Sequence, residues 1–245
     1  MTRPAGATGA AAALRPQSGQ TRTSELLGRL RADLLSGALE PGEPLRLAVL
    51  RTRYLAGLTP LREALFRLAA EGLVTVEDQR GFRVAKTSHE ELADLTEQRV
   101  FLESRAIRLA IERGDLSWES RVLAANHLLT NTRKLEPGSD RLTIEWTDVH
   151  RGFHRTLLES CGSTWLLRFR DALSDQVERY QRWSIRKTPD RDVVREHTAL
   201  TEAVLARDAD LAVALLTAHY WRTAELCGLP AALLRAGQKG GHNAR

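Results

Sequence analysis

Leucine and other apolar residues recur at helical spacing along most of this chain, and a strand-like pattern interrupts them at one place. Residues 22–36 put leucines on one face, and Gly37 suits the end of that helix. Past Gly72 the period shortens to that of short strands. The elements predicted for this first part are helices over 22–36 and 45–55, a third helix from Pro60 to a stop at Gly72, and strands over 73–76 and 82–84. Three helices followed by a hairpin predict a winged helix-turn-helix.

The third of these helices has the pattern of a recognition helix. Apolar residues recur at i, i+4 and i+7 from Leu61, which gives one buried stripe. Thr59 is expected to cap the helix, and Pro60 fits its first position, where a missing N–H is no loss. Arg62 and Glu63 then lie exposed in the first turn, as the base-reading residues of such helices do.

The rest of the chain has only helical patterns. Helices are predicted over 89–113, 115–134, 140–160, 163–187, 190–206 and 208–226. The predicted fold is therefore mainly α, an N-terminal winged helix-turn-helix followed by an all-helical bundle. The expected divisions are a disordered arm over 1–20, the winged domain over 21–87, the helical domain over 88–227 and a flexible tail over 228–245.

The charge of the chain is unevenly distributed. The formal net charge of +5 belongs entirely to residues 1–87, which carry 13 Arg or Lys and 8 Asp or Glu. Residues 88–245 carry 23 basic and 23 acidic residues and are therefore neutral overall. A basic segment that coincides with a helix-turn-helix pattern indicates double-stranded DNA as a partner.

Cysteine content and apolar runs bear on the compartment. The two cysteines are too few for a disulfide scaffold, and no apolar run approaches the ~20 residues of a membrane span. We therefore expect a cytoplasmic protein without a membrane segment.

Two stretches of the first domain resemble a known family. The turn Gly37-x3-Pro41-Gly42 and the segment Thr59-Pro60-Leu61-Arg62-Glu63-Ala64-Leu65, followed by Arg80-Gly81-Phe82, are similar to the DNA-binding domain of GntR regulators. The helical remainder resembles the effector domain of the FadR-type subgroup. This resemblance implies a homodimer on a palindromic operator, with effector binding and dimerisation in residues 88–227.

The resemblance has one departure in the recognition turn. Family members usually carry Ser-Arg-Thr-Pro there, whereas this chain has Gly57-Leu58-Thr59-Pro60. Arg62 and the wing must then supply more of the DNA contact. The DNA-binding residues predicted are Thr59, Pro60, Arg62, Arg67, Arg80 and Gly81. An ion pair with a nearby carboxylate is the structural alternative for Arg62, and a solvated or phosphate-contacting position is favoured for Arg67.

Four of the seven histidines form a candidate metal site. His150 and His154 are four residues apart, so both imidazoles project from one helical face. His197 and His219 lie on two later predicted helices. Histidines from three helices can close a site in a bundle core. A polar pocket whose histidines hydrogen-bond an anion directly is the alternative.

The resemblance supports the metal reading. FadR-type effector domains often use one Asp and three His as ligands, and His154, His197 and His219 match the three histidines. His150 stands in the Asp position, which keeps a ligand but removes a negative charge and favours Zn or Ni as the divalent ion.

The resemblance also implies a carboxylate effector. Arg99 matches the family's pocket arginine and can bind a carboxylate in a bidentate fork. Its structural alternative is an ion pair with Glu103, one turn away. Tyr180 and Trp183 are candidate lining residues. Segments 42–46 and 74–85 are most similar to a glutarate-responsive member, which implies glutarate or a related C5 dicarboxylate.

Three functions compete at this point. The favoured one is a metabolite-responsive repressor that releases its operator when the carboxylate binds beside the metal. A metal-dependent hydrolase would use the same histidines, but no His-Glu-x-x-His motif or adjacent general base is present, so no enzyme is expected. A structural nucleoid-type protein would not need the large neutral bundle.

Overall fold

The computed structural model describes residues 22–78, 80–139, 142–185 and 191–234, without the side chains of 181–185. The predicted arm over 1–20 and the last part of the predicted tail, 235–245, lie outside the described residues. The mainly α prediction is confirmed, because a small winged domain precedes an all-helical domain. Among the described helices, none is long and apolar enough to cross a membrane.

Six short elements build the winged domain, and leucines from all three of its helices fill its core. The elements are α1 (Arg22–Ser36), β1 (Pro44–Leu45), α2 (Leu47–Tyr54), α3 (Leu58–Ala70), β2 (Val74–Glu77) and β3 (Gly81–Val84). The three strands are antiparallel in the order β1-β3-β2, so the wing strand β3 lies in the middle.

The second helix begins two residues later than predicted. Pro44 and Leu45 pair with Arg83 and Phe82 of the wing instead of starting the helix. A proline is tolerated at a sheet edge, and the extended backbone lets Leu45 bury its side chain in the domain core. This pairing connects residues almost forty positions apart, which a local pattern does not reveal.

The recognition helix α3 starts earlier than predicted. Its N-cap is Gly57, so Leu58 is the first helical residue and the predicted cap, Thr59, is the second. Pro60 is then the third, and its absent N–H still belongs to the turn that lacks intrahelical acceptors. The helix ends at Ala70, and Gly72 follows as the predicted stop, with a φ of 75° in the left-handed conformation that glycine adopts most readily.

Within the described part of the helical domain there are six long helices and one 3-10 turn. They are α4 (His89–Arg113), α5 (Leu116–Asn131), α6 (Ile144–Leu158), the 3-10 turn Glu159–Cys161, α7 (Thr164–Ile185), α8 (Val193–Leu205) and α9 (Ala209–Leu226). Capping residues position several of the starts, as at Ser88, whose side chain accepts a hydrogen bond from the Glu91 N–H. Helix α4 packs against α7 and α9 and places their inner faces around a common core.

A short network of ion pairs joins the two domains. Arg31 of α1 binds Asp175 of α7 at 2.6 Å and Glu71, beyond α3, at 2.5 Å. The side chain of Gln176 also donates to the backbone carbonyl of Glu71. Arg151 of α6 approaches the same Asp175 at 3.5 Å. Asp175 therefore lies between a cation of the winged domain and a cation of the helical domain.

The start of the predicted flexible tail is packed. Leu229 is buried, and Leu233 and Leu234 lie partly buried against the same apolar cluster. The predicted tail thus begins with apolar residues that belong to the same cluster as Leu92 and Leu95 of α4. Removing such side chains from water is favourable.

The turn between α4 and α5 yields a stability prediction. A Cβ at Gly114 would lie 2.0 Å from Cε3 of Trp118 and 2.7 Å from the carbonyl oxygen of Ala110. Because Trp118 is fully buried, Gly114→Ala should lower the free energy of unfolding by about 1–3 kcal/mol. Urea denaturation followed by circular dichroism measures this change.

Gly152 provides the matched control. It lies exposed within α6, and an added Cβ there meets no atom within 4 Å. Gly152→Ala should raise stability by up to about 1 kcal/mol through helix propensity alone. Equal stability of the Gly114→Ala variant and the unaltered protein would contradict this packing argument.

Candidate functional site

The structure brings the four predicted histidines together. His150 and His154 lie one turn apart on α6, His197 lies on α8 and His219 on α9. One ring nitrogen of each lies within 4.8 Å of those of the other three. Three of the side chains are buried and His150 is half-buried. The site thus forms where three helices meet, as the spacing predicted.

One pair of these nitrogens has the separation expected of metal ligands. The Nε2 atoms of His150 and His154 are 3.2 Å apart. Two nitrogens bound tetrahedrally to zinc at ~2.0 Å would be about 3.3 Å apart. One Nε2 can donate to the other at this distance, and with both protons on Nδ1 the two Nε2 lone pairs would instead converge on one position.

His197 gives independent support for a missing ligand. Both of its ring nitrogens are buried and have no hydrogen-bond partner among the described residues. A buried polar atom without a partner is costly, and such atoms in natural proteins commonly mark an ion or water site. The residues present therefore fit a divalent ion, and imidazole donors suit Zn, Ni, Cu or Fe.

Carboxylates stand behind two of the histidines. Nδ1 of His219 lies 2.7 Å from Oε2 of Glu196. Nδ1 of His154 lies 3.4 Å from the Tyr220 hydroxyl, which donates to Glu103 at 2.5 Å. Contacts of this kind orient metal-bound imidazoles, because the nitrogen facing away from the metal carries the proton.

The cluster holds its imidazoles neutral. Burial lowers the pKa of His150, His154 and His197 well below the ordinary histidine value, and repulsion from neighbouring histidines lowers it further. Burial also lowers the pKa of His219, although its hydrogen bond to Glu196 opposes the change. Neutral imidazole is the form that binds a metal.

A small cavity adjoins the histidines on the side of α4 and α7. Arg99 lies in its wall, over the Tyr220 ring at 4.0 Å, and its Nε donates to Glu103 at 3.0 Å. Arg99 thus lines the cavity and is also a partner of Glu103. The lining residues are Leu92, Thr96, Arg99, His150, Val177, His219, Tyr220, Thr223 and Ala224.

Of the two aromatic candidates, Tyr180 is the one whose side chain the structure describes, and it does not line this cavity. Tyr180 is buried, but its hydroxyl donates to Glu91 and accepts the Ser88 N–H at 3.2 Å. It therefore binds the segment that connects the domains, which corrects its predicted place in the pocket. The side chain of Trp183 lies outside the described residues.

Sequence reasoning missed several residues of the site. Glu196, Tyr220 and Thr223 contact or line the site. The sequence could have indicated only the first two, because each is adjacent to a candidate histidine ligand. Glu103 was considered only as a partner of Arg99. Its contact with Tyr220 depends on the packing of α4 against α9.

The exposed face of α3 contains the predicted DNA-contacting residues. Thr59 and Arg62 are exposed, and Arg62 makes no hydrogen bond or ion pair within the described part of the chain. Arg67 is exposed as well but is held by Glu63 at 2.6 Å. Pro60 is half-buried. Arg62 is therefore the cation of this face that is available to a base or phosphate.

The wing tip offers a second point of approach. Arg80 is exposed in the turn between β2 and β3, and its N–H donates to the Glu77 carbonyl at 3.0 Å. Gly81 follows with a φ of 88° and open space where a Cβ would be. The backbone there can approach a phosphate closely.

A winged helix-turn-helix with an exposed cationic face, joined to a helical domain, defines a bacterial DNA-binding transcriptional regulator. Residues 22–84 match the family described as "Bacterial regulatory proteins, gntR family", and residues 94–222 match the FCD domain. The chain belongs to the GntR family and carries an FCD effector-type domain, so the family predicted from the sequence is confirmed.

Known relatives agree with this membership. The chain is 40% identical over 195 residues to the HTH-type transcriptional repressor GlaR of Escherichia coli (strain K12), covering 78% of this chain and 88% of that protein. It is 38% identical to the HTH-type transcriptional regulator BphR of Paraburkholderia xenovorans (strain LB400), covering 78% and 79%. The structure of E. coli McbR/YncC shares the fold, with a TM-score of 0.67 and 21% identity over 89% of this chain and 98% of that one.

The expectation that the chain is not an enzyme is confirmed by these findings. Both matched domains and both relatives belong to transcriptional regulators. The site agrees with this, because a hydrolase needs a carboxylate that is free to act as a general base. The two carboxylates near the histidines, Glu103 and Glu196, are each bound by an arginine. The hydrolase alternative has no support.

The neutral histidines predict a pH dependence of stability in metal-free protein. Their pKa values are lower folded than unfolded, so the unfolded chain binds more protons as the pH falls below about 6.5. Stability is therefore fully present above that pH and is lost below it. Each histidine contributes a slope of up to about 1.4 kcal/mol per pH unit.

Replacing one histidine tests this slope. In chelator-treated protein, His197→Leu should make the loss of unfolding free energy between pH 7 and pH 5 shallower. His127, exposed on α5, is the matched control, and His127→Leu should leave the slope as in the unaltered chain. Urea denaturation at several pH values measures both, and identical slopes for all three proteins would contradict the neutral cluster.

Proposed function

We propose that this protein is a metal-containing repressor that releases its operator when a small dicarboxylate binds in the helical domain. The observation that carries the proposal is the convergence of four histidines beside a cavity that Arg99 also lines. The relative with 40% identity is named a repressor, which supports the direction of regulation.

The metal would be held by His150, His154, His197 and His219. The four imidazoles are neutral, so the site would keep the full positive charge of a divalent zinc or nickel ion. In the relatives' pattern an Asp occupies the position of His150, and its replacement leaves the site more cationic. Such an ion supplies a positive point to which a carboxylate is attracted.

Arg99 would bind the second carboxylate. Burial opposes its charge, but the contacts with Tyr220 and Glu103 outweigh this and raise its pKa, so the guanidinium stays protonated. Leu92, Val177 and Ala224 also line the cavity. Two positive points in one cavity with aliphatic lining suit a short aliphatic dicarboxylate, and the likeness to a glutarate-responsive member makes glutarate the first choice.

Two copies of the chain would bind one palindromic operator. Phe101 of α4 and Trp165 and Phe169 of α7 are all more than half exposed on helices that pack side by side. Large exposed aromatic residues on a regulator are typical of an interface. A two-fold dimer through this region would place two recognition helices on two half-sites.

The junction between the domains supplies a route for the signal. Val177 of α7 lines the cavity, while Asp175 and Gln176 of the same turn bind Arg31 and Glu71 of the winged domain. A ligand that prefers one position of α7 would therefore bias the position of the winged domain. Only such a preference changes DNA affinity, because a ligand that binds both arrangements equally shifts neither.

The DNA-binding face yields the first prediction. Arg62→Ala should weaken binding to a fragment from the protein's own upstream region by about 1–3 kcal/mol and reduce preference over unrelated DNA. Arg105→Ala removes the same charge from an exposed position of α4 and should leave binding unchanged. Fluorescence anisotropy at fixed salt measures both. Unaltered affinity and preference in Arg62→Ala would contradict the assigned role.

The effector site yields the second prediction. Glutarate should release the labelled operator fragment from zinc-loaded protein, and a chelator should abolish that release. Arg99→Met, which keeps the length and apolar character of the side chain, should require at least about tenfold more glutarate, the loss expected for one charge-assisted pair. The Arg105→Ala variant should respond as the unaltered protein does.

The outcomes separate the parts of the proposal. Release that needs neither metal nor Arg99 would overturn the assigned site. Binding to DNA that glutarate leaves unchanged, while another dicarboxylate releases it, would overturn glutarate but retain the site.

A further inference from the structure

Glu196 contacts the ring of His219, and this contact bears on which ring nitrogen carries the proton. A neutral imidazole carries its proton on either Nδ1 or Nε2, and only the unprotonated nitrogen binds a metal. We infer that Glu196, held in place by Arg191, is a positioning residue that keeps the His219 proton on Nδ1 and leaves Nε2 free for the metal. The inference rests on the metal site of the proposed function.

The geometry around Glu196 is closely constrained. Its Oε2 lies 2.7 Å from Nδ1 of His219. Arg191 holds the carboxylate in a bidentate fork, with Nε to Oε1 at 2.7 Å and Nη2 to Oε2 at 2.6 Å. Such a bidentate fork is the contact that arginine makes with an ionised carboxylate. An ionised carboxylate can only accept, so Nδ1 must be the donor.

A second contact at the same nitrogen shows what Glu196 prevents. Nη2 of Arg191 lies 3.1 Å from Nδ1 of His219. Nη2 of Arg191 carries two hydrogens. Its two other possible acceptors are Oε2 of Glu196 and the carbonyl of His219, the latter at 3.2 Å. With Glu196 in place, both hydrogens are used. Without it, one would be free to donate to Nδ1 and favour the proton on Nε2, which faces the metal position.

The sequence order fits this role. Glu196 directly precedes the ligand His197 on α8, so one turn of a helix supplies a ligand and the residue that orients another. Arg191 also donates to Thr223, one turn after His219 on α9, at 2.9 Å. The arginine therefore connects α9 to the start of α8, and the carboxylate is fixed between them.

The first test needs no metal. Nitrogen-15 NMR of labelled, chelator-treated protein distinguishes the two imidazole tautomers, and His219→Gln identifies the resonance by its loss. His219 should carry its proton on Nδ1 in the unaltered protein and on Nε2 in Glu196→Ala. The Nε2-protonated form in the unaltered protein would overturn the inference.

The second test measures zinc affinity by competition with a chelating dye. Glu196→Ala should bind zinc about 10–100-fold more weakly, as is typical when the partner of a metal-bound histidine is removed. Glu196→Gln keeps an acceptor without the charge and should fall between the two. Glu202→Gln, exposed on the same helix, should bind like the unaltered protein. Circular dichroism establishes that each variant is folded.

A double variant separates orientation from general damage. If Arg191 drives the wrong tautomer, then Glu196→Ala combined with Arg191→Met should recover part of the zinc affinity. A further loss in the double variant would overturn the tautomer mechanism. Unaltered protein that binds no zinc would overturn the proposed function, whereas equal binding by the unaltered protein and Glu196→Ala would overturn only the role of Glu196.

Discussion

Four uncharged imidazoles share one buried pocket in this regulator, and the arrangement of its helical domain depends on what satisfies them. Both nitrogens of His197 lack partners among the described residues, and two Nε2 atoms face each other at 3.2 Å. Left alone, the two nitrogens of His197 would subtract from stability, because buried polar atoms without partners are costly. A bound divalent ion would turn this loss of stability into a gain. It would use the converging lone pairs and connect α6, α8 and α9 through one centre.

Around this centre the charges form two separate sets. In the first set, Arg191 binds Glu196, which contacts His219. In the second set, Arg99 binds Glu103, which contacts His154 through Tyr220. Each set is close to neutral, so the charge of a bound ion would remain uncompensated and available to an anion. The second set also contains the arginine that faces the cavity. Effector binding at Arg99 would therefore act on Glu103, whose partner Tyr220 adjoins His154, and reciprocal coupling between metal and effector affinity is expected.

Local signals predicted most of the fold. Helix α4 has the predicted bounds, because Ser88 and Gly114 punctuate it in the sequence. The features that escaped prediction are non-local. Leu45 belongs to a strand because of a partner in the wing, and Leu229 is buried because of neighbours on other helices. The histidines were identified from an i, i+4 pair and a family resemblance, whereas the place of Tyr180 depends on the rotation of α7 against the linker. Sequence periodicity does not determine the rotation of a helix about its axis precisely enough to say which neighbour one side chain contacts.

Metal stoichiometry tests the central claim most directly. Protein purified without chelator, then examined by native mass spectrometry and titrated with zinc, should bind one divalent ion per chain. Saturation at 100 times the dissociation constant should raise unfolding free energy by about 2.7 kcal/mol. His154→Ala should abolish both effects, while His127→Ala, exposed on α5, should change neither. Absence of a bound ion, or binding that His154→Ala leaves intact, would contradict the assignment of the four histidines as a metal site.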